Sequence, residues 1–133
     1  MQMKLQLIPM PVSDIDAAKA FYVDKLGFTE DHDSAPTKGM RIVQLTPQGS
    51  DCSIALSSGL PMMEMPIGSQ RGLHLVVDDV EAARQAFTDK GGQAGDVIDM
   101  GGGIKYVPFS DPDGNQWTFQ EMPRMHSNKI FLY

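Results

Sequence analysis

The sequence predicts an α+β fold built from two tandem βαβββ modules, and two observations carry that prediction. The first is an internal repeat sixty-five residues apart: Val12–Gly27 returns as Val77–Gly92, with seven of sixteen positions identical. The second is that each copy begins with an apolar strand, continues into a capped amphipathic helix, and ends in three strand-like segments. Two copies are too few for a stacked solenoid, so a closed two-module domain is expected.

The opening strands are Leu5–Val12 and Gly72–Val77. In the helices that follow, Ser13 with Asp16 and Asp78 with Glu81 match the capping box, an oxygen acceptor followed three residues later by a carboxylate. Ile15, Ala18 and Tyr22, and then Val80, Ala83 and Phe87, recur at i, i+3 and i+7, giving each helix one buried stripe. Gly27 and Gly92 supply a positive-φ exit. The remaining strands are expected at Phe28–Ser34, Met40–Thr46 and Cys52–Ser57, then at Gln93–Met100, Ile104–Ser110 and Gln116–Glu121. Asp113-Gly114 between the last two is a hairpin signal, and Gly101–Gly103 marks another turn.

Module one thus spans about 3–57, a Pro-, Gly- and Met-rich linker 58–70, module two about 71–121 and a tail 122–133, all within one domain. Hydrophobic content of 41% and charged content of 21% are those of a soluble globular protein. The net charge of -6 disfavours nucleic acid, whose phosphates need clustered Lys and Arg. No apolar run approaches the ~18 residues of a membrane span, and the N-terminus lacks a signal-peptide pattern. The lone Cys52 forms no internal disulfide and no Cys-based zinc motif. A cytoplasmic location is expected.

Strand alternation separates two sheet faces. Ile8, Met10, Ile54, Leu56, Leu73, Leu75, Trp117 and Phe119 form an apolar register suited to packing under the helices. The opposite register holds Leu7, Ser53, Ala55, Ser57, Gly72, His74, Gln116, Thr118 and Gln120. Small and mixed polar, it suits a surface that receives a ligand, or an ordinary solvated face.

The strings Val12–Asp14, Ala20-Phe21-Tyr22, Lys25-Leu26-Gly27-Phe28, Val77–Ala82 and Phe109–Asn115 together resemble the vicinal oxygen chelate superfamily. That superfamily comprises glyoxalase I, bleomycin-resistance proteins and extradiol dioxygenases. The resemblance covers residues 3–121 and implies a curved mixed sheet around a cup. It does not fix a reaction, because this fold hosts several chemistries. Metal-dependent members carry a His, Gln or Glu five residues before the Val of each Val-x-Asp motif, which here are Leu7 and Gly72. Their C-terminal ligand falls four residues after the Gly of the Asp-Pro-Asp-Gly turn, at Thr118. Its repeat partner is Ser53, or Ala55 if the register slips by two. None of these is an imidazole or carboxylate donor, so no metal and no other cofactor is expected.

His74 lies two residues beyond Gly72 on the same face. It reads as a polar contact to a ligand, as a displaced metal ligand, or as a structural or solvated histidine. His32 and His126 are weaker candidates. Cys52 reads as a buried small hydrophobe, and Asp111 and Asp113 as hairpin residues rather than an acid–base pair. Met62, Met63 and Met65 form a soft lid or an exposed loop. The function that follows is binding or sequestration of a small organic molecule through Leu7, Ser53, His74, Gln116, Thr118 and Gln120, with no catalytic residue assigned. The alternatives are a metal-dependent lyase, isomerase or dioxygenase of the glyoxalase type, or a regulatory module. A homodimer is expected, because the apolar tail and the Met-rich linker need cover.

Overall fold

A computed structural model of the chain describes residues 1–123. The strands are β1 (Leu7–Pro9), β2 (Thr29–Ser34), β3 (Arg41–Thr46), β4 (Ser53–Ser58), β5 (Leu73–Val76), β6 (Ile98–Gly101), β7 (Ile104–Ser110) and β8 (Gln116–Glu121). The helices are α1 (Ile15–Ala20), which runs on into a π-helical stretch Phe21–Lys25, and α2 (Val80–Asp89). The element order is therefore βαβββ twice. Each copy forms its own four-stranded mixed sheet, ordered β1-β4-β3-β2 and β5-β8-β7-β6. In each, the opening strand pairs in parallel with the last strand and the other pairs are antiparallel.

The chain divides into two compact units whose boundary does not follow the repeat. Residues 111–115 belong with residues 1–70, and the second unit holds 71–110 together with the chain from Gln116 onward.

In the first unit, Ile54, Leu56, Val43 and Leu45 are buried with Ala18, Phe21, Tyr22 and Phe28. Tyr22 packs at 5.1 Å from Phe21 and 5.4 Å from Phe28, ring centre to ring centre. Asp111 joins this core at 5% exposure. Its carboxylate accepts from the Tyr22 hydroxyl (2.8 Å), Asn115 Nδ2 (2.7 Å) and the backbone N–H groups of Asp113 and Asn115 (3.0 and 2.9 Å). Four donors are what a buried carboxylate needs to offset its desolvation. At the rim, Arg41 bridges Asp33 and Asp16, each at 2.8 Å, while Lys19 bridges Glu30 at 2.7 Å and Asp33 at 2.9 Å. Hydrogen bonds from Arg41 and then Lys19 hold the Asp33 carboxyl well below its ordinary value of 3.8. The same cluster raises Arg41 and Lys19.

In the second unit, Val107, Phe109, Trp117 and Phe119 are buried together with Val80 and Phe87 of α2. Phe109 stacks on Phe119 at 4.5 Å and lies 4.9 Å from Phe87.

Four local expectations shift. The first strand is Leu7–Pro9 rather than Leu5–Val12, ending at a proline, which has no N–H to give to a ladder. The N-caps are Asp14 and Asp79, one residue later than Ser13 and Asp78. Asp14 accepts from Ala17 N–H, and Asp79 from the N–H groups of Glu81 and Ala82. A carboxylate competes well for this position because it also faces the positive end of the helix dipole. Ser13, released from that duty, donates its hydroxyl to Asp113 at 2.6 Å. At the helix exits, Gly27 has φ 74° as expected, but its counterpart is Gly91 at 89° rather than Gly92. Gly92 is small for a different reason: a Cβ there would sit 2.5 Å from the Phe87 ring. The sixth strand is also shorter than expected, with only an isolated bridge from Ala94 to Phe109 ahead of Ile98. Cys52 is half-buried. The apolar end Ile130–Tyr133 and His126 lie outside the described residues.

Candidate functional site

The sheet registers show which side chains share a face. In the first unit Leu7 stands beside Ser53, and Gln44 beside Ala55. Ser53 and Ala55 are buried, at 3% and 1% exposure, so this face is not a plain solvated surface. Several of its polar groups are linked to one another. Gln44 Nε2 donates to Ser53 Oγ (3.2 Å), Ser53 and Thr46 hydroxyls meet at 2.6 Å, and Thr46 donates to the Asp31 carboxylate. A hydroxyl has one proton, so with Thr46 donating to Asp31 the Ser53 proton goes to Thr46. The relay runs Gln44, Ser53, Thr46, Asp31.

Beyond it, the Ser57 hydroxyl meets Met63 Sδ at 3.7 Å. A recess of about 250 Å³ opens there, lined among others by Met10, Leu60, Met63, Glu64 and Met65. The linker methionines therefore divide: Met63 and Met65 face this recess, and Met62 is exposed.

In the second unit the corresponding face is a small grid. One row runs Ile98, Tyr106, Gln120, Val76 and the next Pro108, Thr118, His74, with Ser110 beside Gln116 after that. Gln116 and His74 are exposed, Thr118 is half-buried and Gln120 is buried. His74 Nδ1 lies 2.5 Å from Gln120 Oε1, and the Tyr106 ring meets the His74 ring edge-on with centres 5.3 Å apart. Gln120 and Tyr106 thus brace His74 from below and beside. Of the six candidate residues, His74, Gln116, Thr118 and Gln120 share this one face. Leu7 and Ser53 share the face of the first sheet.

The registers also decide between the two alignments of the repeat. Leu73 pairs with Trp117, which sets Gly72 beside Gln116, just as Leu7 lies beside Ser53. Gln116 is then the counterpart of Ser53, and Thr118 the counterpart of Ala55. The outer strands agree: Arg41, bridged to Asp16, has its equivalent in Lys105, which approaches Glu81 at 4.0 Å. The last strand of the second copy has slipped by two relative to the helices and the opening strand.

A divalent metal held as in metal-dependent glyoxalase-type proteins would need imidazole or carboxylate donors at these places. Leu7 and Ala55 offer none, Gly72 has no side chain, and Thr118 and Ser53 offer only neutral hydroxyls. The residues do not fit such a metal. Among the described residues no group of three or more His, Cys, Asp or Glu could hold a metal ion. Sequence reasoning missed Asp111 as the buried hub of the first unit and Tyr106 as the neighbour of His74. Tyr106 could have been found from strand alternation in β7.

Comparison with known proteins gives a consistent picture. The model of the Glyoxalase/Bleomycin resistance protein/Dioxygenase superfamily matches residues 4–119. The solved structure of TnmS3, described as an antibiotic binding protein from Streptomyces sp. CB03234, is 37% identical with a TM-score of 0.79. That match covers 90% of this chain and 96% of TnmS3. A glyoxalase/bleomycin resistance protein from the same organism is 36% identical with a TM-score of 0.75, covering 89% of this chain and all of that one. A member of the superfamily from Sphaerobacter thermophilus DSM 20745 is 32% identical with a TM-score of 0.76, covering 90% of this chain and 98% of that one. No curated protein matches the chain. No helix among the described residues is long and apolar enough to cross a membrane.

Proposed function

The chain belongs to the glyoxalase/bleomycin resistance protein/dioxygenase superfamily, and we propose that within it the protein binds and sequesters a small organic molecule without using a metal. The observation that carries this reading is the likeness to an antibiotic binding protein at 37% identity over 90% of the chain. The side chains at the expected metal positions support it, since none is an imidazole or a carboxylate. Binding then rests on shape, apolar contact and a few polar groups, the usual composition of small-molecule sites. His74, Gln116, Thr118 and Gln120 are the proposed polar contacts on the second sheet. On the first sheet Leu7 is the proposed apolar contact and Ser53 the proposed polar one. The soft lining of the Met10–Met63–Met65 recess suits an apolar ligand, because thioether chains adapt their shape.

A homodimer in the cytoplasm fits this reading. Met1, Met3 and Leu5 alternate with Gln2, Lys4 and Gln6, and the three apolar residues are exposed at 107%, 82% and 69%. A second copy covering them would remove that apolar surface from water.

Elemental analysis of protein purified without chelator, followed by a thermal-shift screen with antibiotics and aromatic metabolites, tests the proposal. The expected result is no stoichiometric metal and at least one compound that raises Tm. One tightly held Mn, Fe, Ni or Zn per chain would favour the glyoxalase-type lyase, isomerase or dioxygenase instead. A metal-free protein with a flat screen would favour a regulatory module.

A further inference from the structure

We propose that Gln120 locks His74 in the Nδ1–H tautomer, so that Nε2 of the neutral ring is a fixed hydrogen-bond acceptor for the hydroxyl of a flat apolar ligand, a phenol or an enol. This deepens the small-molecule reading and rests on it.

The orientation of Gln120 decides the tautomer. Its Nε2 donates to Met122 Sδ at 3.0 Å. A thioether sulfur has no proton to give, so the amide nitrogen belongs on that side and Oε1 faces His74. At 2.5 Å the carbonyl oxygen can only accept, so in the neutral ring the single proton sits on His74 Nδ1. Gln120 is 2% exposed, which fixes the amide in place. The other ring nitrogen has no protein partner among the described residues, and His74 itself is exposed. A neutral imidazole protonated at Nδ1 presents only a lone pair at Nε2, so it selects a donor and not a carbonyl.

The shape of the ligand follows from the neighbours. Val76 and Ile98, on the same face by register, are exposed at 49% and 47%, and Pro108 is exposed beside Thr118. The Tyr106 ring stands edge-on to His74 and closes one side. An acceptor set among flat apolar side chains matches an aromatic hydroxyl better than a sugar or a polyanion.

Two measurements test this. Long-range proton–nitrogen NMR of the intact protein should show His74 protonated at Nδ1, and Gln120→Leu or the volume-matched Gln120→Met should release it to a mixture of tautomers. Two substitutions are used so that one misfolded variant leaves the other readable. Titration with 1-naphthol and 1-methoxynaphthalene, which share the ring and differ in the donor, should favour 1-naphthol by roughly five- to tenfold, the worth of one neutral hydrogen bond. His74→Phe should abolish that preference. An Nε2–H tautomer in the native protein overturns the proposal, as does equal affinity for the two naphthalenes. Failure of both naphthalenes while other compounds in the screen bind overturns the phenol assignment and leaves the binder reading standing. A wholly blank screen overturns both.

Discussion

The Tyr22 hydroxyl donates to Asp111 Oδ2 at 2.8 Å, joining two buried residues that are eighty-nine positions apart in the chain. Tyr22 is fully enclosed, and the bond ties the first helical segment to the turn between β7 and β8. Tyr22→Phe removes one of four donors to a buried carboxylate and should cost about 1.5–3 kcal/mol, since the acceptor is charged. Asp111→Ala removes the acceptor shared by Tyr22, Asn115 and two backbone N–H groups at once and should cost about 3–5 kcal/mol. Urea denaturation of both variants checks the order; equal losses would show that Tyr22 carries the whole effect.

The Asp33 cluster should leave a signature in pH. A carboxyl whose folded pKa lies below its unfolded value stabilises the fold above the ordinary value of 3.8. That contribution is lost as pH falls from there through the lowered folded value. Asp33→Asn should therefore be less stable than the parent at pH 7 by about 1 kcal/mol, a size set by the partial exposure of the cluster. The gap should narrow steadily below pH 3.8 and also in 1 M salt. Thermal melts of the two proteins across the acid range measure it.

Gly68 occupies a place that no other residue fits. It has φ +73°, and a Cβ would lie 2.0 Å from the Asp113 carbonyl oxygen. Gly27, at φ +74°, has nothing within 4 Å of the same point. Gly27→Ala should cost about 1 kcal/mol, the backbone strain alone. Gly68→Ala must also displace the 111–115 turn and should exceed about 3 kcal/mol. Comparable melting temperatures for the two variants would contradict the close approach.

His74→Ala separates binding from folding. The ring itself is exposed, so its removal should cost no more than about 1 kcal/mol, the loss of the donor to the buried Gln120 oxygen. Affinity for compounds found in the ligand screen should fall several-fold. A marked loss of Tm without loss of affinity would make His74 a structural residue.

The fold was legible because the repeat states its elements twice. The two opening strands, both helices and the hairpin at Asp113-Gly114 follow from spacing and turn chemistry alone. The caps were legible to within one residue, because Ser13-Asp14 and Asp78-Asp79 each offer two adjacent acceptors and sequence does not choose between them. The site was less legible. The repeat aligns helices and strands with a single offset, whereas the last strand has slipped by two, and only hydrogen-bond pairing matches Thr118 with Ala55. Asp111 reads locally as a hairpin residue, because nothing in its neighbours in sequence says that its carboxylate turns toward Tyr22.

The allocation of residues 111–115 to the first unit bears on how this duplication has aged. A chain cut at the repeat boundary would yield a front half lacking the carboxylate around which Tyr22 and Asn115 are arranged, and a back half with a hairpin tip facing solvent. Fragments 1–70 and 71–133 are therefore expected to regain structure only when supplied together, as circular dichroism of each alone and of the mixture would show.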